Sequence, residues 1–155
     1  MEKKENRITP QQIYVSRLRQ KMVEKDANVW EMVTVDKTPP STGNEDMDRV
    51  AQVLATSKKI TADRIYALFE SDPLFGRNLF KAKTGMTISA FVLEYRMLAF
   101  CELLACTNMT VREISAYLGC SNEQVTRDFK KWMGCSPIAY RTRNRPKHYD
   151  LLFKM

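Results

Sequence analysis

"TVREISAYLGCSNEQVTRDFKKWMGCSP", residues 110–137, decides the fold. Thr110 and Glu113 form a capping box, so a helix begins there. Val111, Ile114 and Leu118 keep the apolar period of a helix. Gly119 can take the left-handed conformation that ends it. Ser121 and Gln124 form a second capping box, which opens a helix with Val125, Phe129 and Met133 on its inner face. Gly134 closes that helix, and Ser136-Pro137 starts another with a cap and a first-turn proline. The break at Gly119-Cys120-Ser121 holds two short helices at a fixed angle. Such a turn sets one helix to support the other against something outside the protein.

The same pattern occurs once before. With an offset of 49, which carries Thr61 onto Thr110, residues 61–91 align without gaps on residues 110–140. Ile65 meets Ile114, Phe80-Lys81 meets Phe129-Lys130, Gly85 meets Gly134 and Ala90 meets Ala139. The matches fall on caps, apolar positions and terminal glycines, so one supersecondary unit is used twice. In the first copy Thr61 caps a helix carrying Ile65, Leu68 and Phe69. Asp72-Pro73 opens the next, and Gly85 ends it. Helix, tight turn, helix, twice: the sequence predicts two helix-turn-helix units.

The second helix of each unit leaves a distinct set of residues outside. In the second unit these are Asn122, Glu123, Gln124, Thr126 and Arg127, with Lys130 and Lys131 a turn further on. Amides, a hydroxyl and a guanidinium at a helix N-terminus suit base edges in a major groove, and the lysines suit phosphates. On one helix alone the same residues would equally serve as an ordinary solvated face; the repeat shifts the weight to nucleic acid. In the first unit the outward set is Leu74, Arg77, Asn78 and Lys81.

Composition narrows the classes. In 155 residues, 25 basic and 18 acidic side chains leave a net charge of +7, which mildly favours a polyanionic partner. Five glycines and long proline-free runs point to an all-α protein. The charged start, Met1-Glu2-Lys3-Lys4-Glu5, argues against a signal peptide, and no apolar run reaches the ~20 residues that span a bilayer. A cytoplasmic protein is expected. Cysteines at 101, 106, 120 and 135 show no CxxC pairing, and His148 is the single histidine, so reduced thiols are expected and no metal site. Without a phosphate-binding glycine loop or a nucleophile motif, no catalytic residues can be named; no enzyme and no cofactor are expected.

The stretches "LFKAKTGMTISAF" and "TNMTVREISAYLGCSNEQVTRDFKKWMGCSPIAYR", with Arg96 between them, resemble the AraC/XylS family of bacterial transcription regulators. The resemblance covers about residues 44–143. It implies two homeodomain-like helix-turn-helix subdomains joined by a long bridging helix, each presenting a recognition helix to one of two successive major grooves. By position it carries DNA contact over to Asn122, Glu123, Gln124, Thr126 and Arg127, and to Leu74, Arg77 and Asn78. It implies a sequence-specific regulator of double-stranded DNA, expected to activate by contacting RNA polymerase, as a monomer or weak homodimer. The alternative is a protein-interaction module of the same fold that binds another regulator through its apolar bridging helix. A net charge of about +4 over residues 44–145, from 15 basic and 11 acidic residues, fits that alternative too.

Departures from the family pattern sharpen the expectations. Gly76 stands where a packed leucine is usual, which costs a helix interior about 1 kcal/mol, and Phe75 is the candidate to swing in. Asn78 replaces a frequent arginine, and Cys120 a phenylalanine. The first unit is therefore expected to grip the backbone while the second reads bases. The bridging stretch from Met86 to Cys106 carries charges only at Glu94, Arg96 and Glu102, so something must cover it.

The N-terminal extension, residues 1–43, is the expected cover. Thr9-Pro10 starts a helix, and Val15, Leu18, Met22, Val29 and Met32 follow heptad spacing, split near Asp26-Ala27-Asn28. Packing of this helical extension on the bridging helix of the same chain is preferred to a dimer seam. Residues 35–46 read as a polar linker. The tail, residues 144–155, reads as a basic arm with Arg145 and Lys147 continuing from Arg141 and Arg143, or as a frayed end. With an extension this short, no β-barrel effector domain of the kind many family members carry is expected.

Overall fold

The computed structural model describes residues 7–155, so the charged start at residues 1–5 lies outside the described residues. These form two compact units: residues 7–15 with Thr38–Arg96, and Ser16–Lys37 with Met97–Met155. The division falls inside a helix.

The first unit is built from α1 (Pro10–Ile13), α2 (Glu45–Thr56), α3 (Ala62–Leu68), α4 (Pro73–Thr84) and the start of α5 (Ile88–Cys106). The second takes the rest of α5, then α6 (Val111–Leu118), α7 (Asn122–Met133), α8 (Pro137–Asn144) and α9 (Tyr149–Leu152). It also holds a three-stranded antiparallel sheet of β1 (Gln20–Asp26), β2 (Val29–Thr34) and β3 (Phe153–Lys154), in the order β2-β1-β3. The fold is mostly helical, as expected, with this sheet as a minor part.

The repeat holds down to side-chain detail. Offset by 49, the bounds of α4 fall on those of α7, and Ile88 of α5 falls on Pro137 of α8. Asp72 caps α4 by accepting from the Phe75 N–H, and Ser121 caps α7 by accepting from that of Gln124. Gly85 (φ 71°) and Gly134 (φ 73°) end these two helices in the left-handed conformation. Thr87 accepts from Ala90 N as Ser136 accepts from Ala139 N. Phe80 meets Phe91 edge-on with centroids 5.1 Å apart, and the equivalent Phe129 meets Tyr140 edge-on at 5.6 Å. Thr61 is the exception: it stands at the start of α3 but makes no side-chain capping bond.

The repeat also extends in both directions beyond residues 61–91. In α2 the buried face is Met47, Val50, Ala51, Leu54 and Ala55; the last four fall on Ala99, Phe100, Leu103 and Leu104 of α5, all buried. Thus α5 closes the first unit as α8 closes the second, and opens the second as α2 opens the first. At the far end, Arg96 donates to the carbonyl of Ile60, just before α3, and its counterpart Arg145 donates to the carbonyl of Thr107, before α6. Two different burial demands along one helix explain why the bridging stretch reads as apolar on nearly every side.

Gly76 is a packing device and not a defect. It is buried, and a Cβ there would stand 2.3 Å from Phe69 Cγ and 2.4 Å from Phe69 Cβ. The equivalent positions in the second unit hold Leu118 and Val125, both buried. The first unit pairs a large residue with none where the second pairs two of middle size, a volume-conserving exchange. Phe75 does not swing in; it is 57% exposed.

The extension departs from the helical expectation. The predicted start is real, with Thr9 and Gln12 in a reciprocal capping box, but α1 ends after four residues at Tyr14, which is extended. Residues 20–34 form a hairpin and not a heptad helix. Met22 lies opposite Met32 and Lys21 opposite Val33, with Asn28 at φ 64° in the turn and a register shift between Glu24 and Asp26. The β-branched Val29, Val33 and Thr34 suit a pleated strand better than a helix. Cover of α5 from within the chain is nevertheless present. In the first unit Tyr14 packs on Tyr95 (5.2 Å) and the Val15 N–H donates to the Tyr95 hydroxyl at 3.4 Å. In the second the Arg17 N–H donates to Glu102 Oε1 at 2.6 Å.

The linker and tail are likewise ordered by their bonds. Val35 is buried and donates to Arg19 O, while Lys37 Nζ donates to the carbonyls of Ser16 and Leu18. Burial holds the Lys37 ammonium below its usual pKa, against the raising effect of Glu102. The tail is neither frayed nor a free arm: Arg145 stacks over the Tyr149 ring at 3.9 Å, and β3 pairs with Gln20 and Lys21.

The exchange at residues 69 and 76 generates a prediction. Alanine at an open helical glycine stabilises by about 1 kcal/mol. Gly76→Ala is instead expected to destabilise by about 1–3 kcal/mol through overpacking. The double variant Phe69→Leu/Gly76→Val, which copies Leu118 and Val125, recovers most of that loss. Guanidinium melts of the three proteins check it; additive costs in the double variant would refute the exchange.

Candidate nucleic-acid interface

Helix α7 is placed by its inner stripe, where Val125 and Phe129 are buried and Phe129 touches both Phe100 and Tyr140. With ~100° between successive residues, the arc opposite that stripe belongs to Glu123, Gln124 and Arg127. The helix start is fixed by Ser121, which accepts from the Gln124 N–H, and the whole set Glu123, Gln124, Thr126, Arg127, Lys130 and Lys131 is exposed. The Thr126 hydroxyl donates to Asn122 O at 2.8 Å, which turns its methyl outward from that bond. Lys130 and Lys131 lie in the last turn, where cations suit the helix dipole.

Asn122 stands apart from this set. It occupies the first helical position, half-buried, in an apolar groove of about 470 Å³ lined also by Val111, Pro137 and Ile138. Its Oδ1 is buried and makes no hydrogen bond. The sequence pattern alone could not separate it from its exposed neighbours.

Helix α4 repeats the arrangement with other chemistry. Gly76, Phe80 and Thr84 form its buried stripe, and Leu74, Arg77, Asn78 and Lys81 are exposed. Phe75 joins the outward face, a residue missed because it was read as a filler for Gly76. Its equivalence to Gln124 was the available signal.

The basic residues near the C-terminus divide in two. Arg141 donates from Nε to Leu104 O at 2.9 Å and from Nη2 to Met109 O, and burial lowers its pKa. With Arg145 it ties the loop after α5 to the chain's end, so neither is free to act as a phosphate-contacting arm. Arg143 and Lys147 are exposed.

All four cysteines are free thiols. Among the described residues no group of three His, Cys, Asp or Glu side chains stands close enough to hold a metal, and no helix is long and apolar enough to cross a membrane. Burial pushes the Cys101 thiol up to about 11, offset in part by its hydrogen bond with Tyr140 and reinforced by Cys135. Burial and then Glu102 push Cys106 up to about 11, and Tyr140 rises to about 12 for the same first reason. These thiols are structural, with little thiolate near neutral pH.

A family model described as a helix-turn-helix domain matches residues 77–143. The chain is 33% identical over 88 residues to the uncharacterized HTH-type transcriptional regulator YtdP of Bacillus subtilis, covering 56% of this chain and 11% of that protein. It is 36% identical over 64 residues to YfiF of the same organism, also an uncharacterized HTH-type transcriptional regulator, covering 41% and 20%. The chain thus spans a tenth to a fifth of the length of these relatives. Among solved structures, the C-terminal domain of AraT, a response regulator from Geobacillus stearothermophilus, shares the fold with a TM-score of 0.61 at 23% identity, over 70% of this chain and 93% of that one. The DNA-binding domain of AdpA, a global transcriptional factor solved with a target DNA, gives 0.59 at 22%, over 66% and 95%. The chain therefore carries a helix-turn-helix domain over residues 77–143.

The raised thiols set a pH dependence. Unfolded cysteines ionise near 8.5, so between about pH 9 and 11 the unfolded chain has released protons that the native protein still holds. Their contribution is complete below that window and is lost as pH rises through it. Native Cys101 and Cys106 are expected to alkylate far more slowly than an unfolded control at pH 8, and Cys101→Ser is expected to flatten the alkaline fall in stability. Mass-resolved iodoacetamide labelling and melts from pH 7 to 11 check both.

Proposed function

We propose that this protein, which carries a helix-turn-helix domain, is an AraC-type, sequence-specific regulator of transcription that binds double-stranded DNA. The observation that carries the reading is the exposed arc of α7, with Glu123, Gln124, Thr126 and Arg127 near its capped N-terminus and Lys130 and Lys131 a turn beyond. Phosphates docked on the basic side chains set register, and the arc reads base edges in a major groove. Arg127 suits guanine, and Gln124 suits adenine. The first unit offers α4 to a second box, about 10 base pairs away by the family resemblance. That resemblance also supports activation through RNA polymerase and a cytoplasmic location.

The interaction-module alternative loses two of its motives. Gly76 is matched by Phe69, and most apolar residues of α5 are buried, Leu93, Leu98 and Cys101 being half-buried.

Selection of binding fragments from a random DNA pool, at moderate and high salt, tests the reading. A bipartite motif with boxes one turn apart is expected; no enrichment at either salt would refute it. Arg127→Ala is expected to cost about 1–3 kcal/mol and relax preference at one base. Lys130→Ala is expected to weaken all sequences alike and lower the salt slope by about one.

A further inference from the structure

Equivalent positions in the two units carry different chemistry on their outward arcs. Where α7 has Glu123 and Gln124 beside Arg127, α4 has Leu74 and Phe75 beside Asn78. Leu74 is 68% exposed and Phe75 57%. Neither has a place inward: the slot over Gly76 is filled by Phe69, and the stripe beneath holds Phe80 and Thr84. Two adjacent large apolar side chains left largely in water forgo the burial that stabilises such residues, so their use lies in what they meet outside.

In a major groove the base pairs present donors, acceptors and one apolar group, the C5-methyl of thymine. We infer that α4 reads thymine through that methyl, with Leu74 and Phe75 as the residues that set specificity. Asn78 lies between them on the same arc, with an amide that fits the N6 and N7 edge of adenine. The first unit then selects an A·T-bearing box, whereas the hydrogen-bonding arc of α7 selects by donors and acceptors. The inference rests on the DNA-binding reading and deepens it. It also replaces the expectation that the first unit only grips the backbone.

Exchange of thymine for deoxyuridine removes the methyl and leaves every hydrogen-bonding group in place. In the DNA obtained by selection, the box whose preference is untouched by Arg127→Ala belongs to the first unit. Deoxyuridine at its thymines is expected to weaken the wild-type protein about fourfold per contacted methyl. Leu74→Ala/Phe75→Ala, which alters only exposed side chains and is checked for native melting, is expected to bind thymine and deoxyuridine boxes equally. Deoxyuridine in the other box must affect both proteins alike. Equal wild-type affinity for thymine and deoxyuridine, or a full methyl penalty kept by the double variant, would overturn the inference and leave DNA binding intact, pointing to a protein partner for the two side chains. Absence of any sequence-selective binding by the wild type would remove the DNA reading and this inference with it.

Discussion

Everything in this fold depends on one helix satisfying two cores. Helix α5 closes the first unit with Phe91, Val92 and Tyr95 and opens the second with Ala99, Phe100, Leu103 and Leu104, all buried. A surface helix needs one apolar stripe; this one needs two, pointing differently, on a continuous backbone. Two of its three charged residues hold neighbouring chain. Arg96 binds the Ile60 carbonyl, and Glu102 accepts the Arg17 N–H. Charged groups so placed are bonded to backbone and not left to solvent, as half-buried polar groups require.

The duplicated unit shows what a helix-turn-helix must keep and what it can trade. Caps, left-handed glycines and the edge-on aromatic pair recur with their geometry. Volumes at the turn are traded, Phe69 with Gly76 against Leu118 with Val125. Close packing constrains the sum at such a site more than the individual residues. The outward arcs are freest of all, because nothing within the unit packs on them.

Legibility followed the range of the interactions. Caps, glycines and the 49-residue repeat are local or self-comparing signals, and they placed α3, α4, α6 and α7. Most of the candidate contact residues were legible for the same reason, since the inner stripe fixes what faces outward. Asn122 and Phe75 were not, because their exposure depends on neighbours outside their own helices, Pro137 and Ile138 in one case and Phe69 in the other. The hairpin failed for a different reason. Met22 and Met32 fit a heptad as well as they fit a cross-strand pair, and the β-branched residues and the Asp26-Ala27-Asn28 turn were the deciding signs. The tail was misread because its partners, the Thr107 carbonyl and strand β1, leave no periodic mark in its own sequence.

The short strand β3 gives the second unit an unusual dependence on order of synthesis. Gln20 pairs with Lys154, so the sheet is closed by residues from nearly opposite ends of the described chain. Ribosomal synthesis delivers the hairpin more than a hundred residues before its third strand, and a contact of such long range closes slowly. The first unit, bounded by Arg96, has all its parts while α6 and α7 are still being made. The nascent chain therefore holds one finished helix-turn-helix and one waiting edge, and the unit that carries α7 matures after the unit that carries α4.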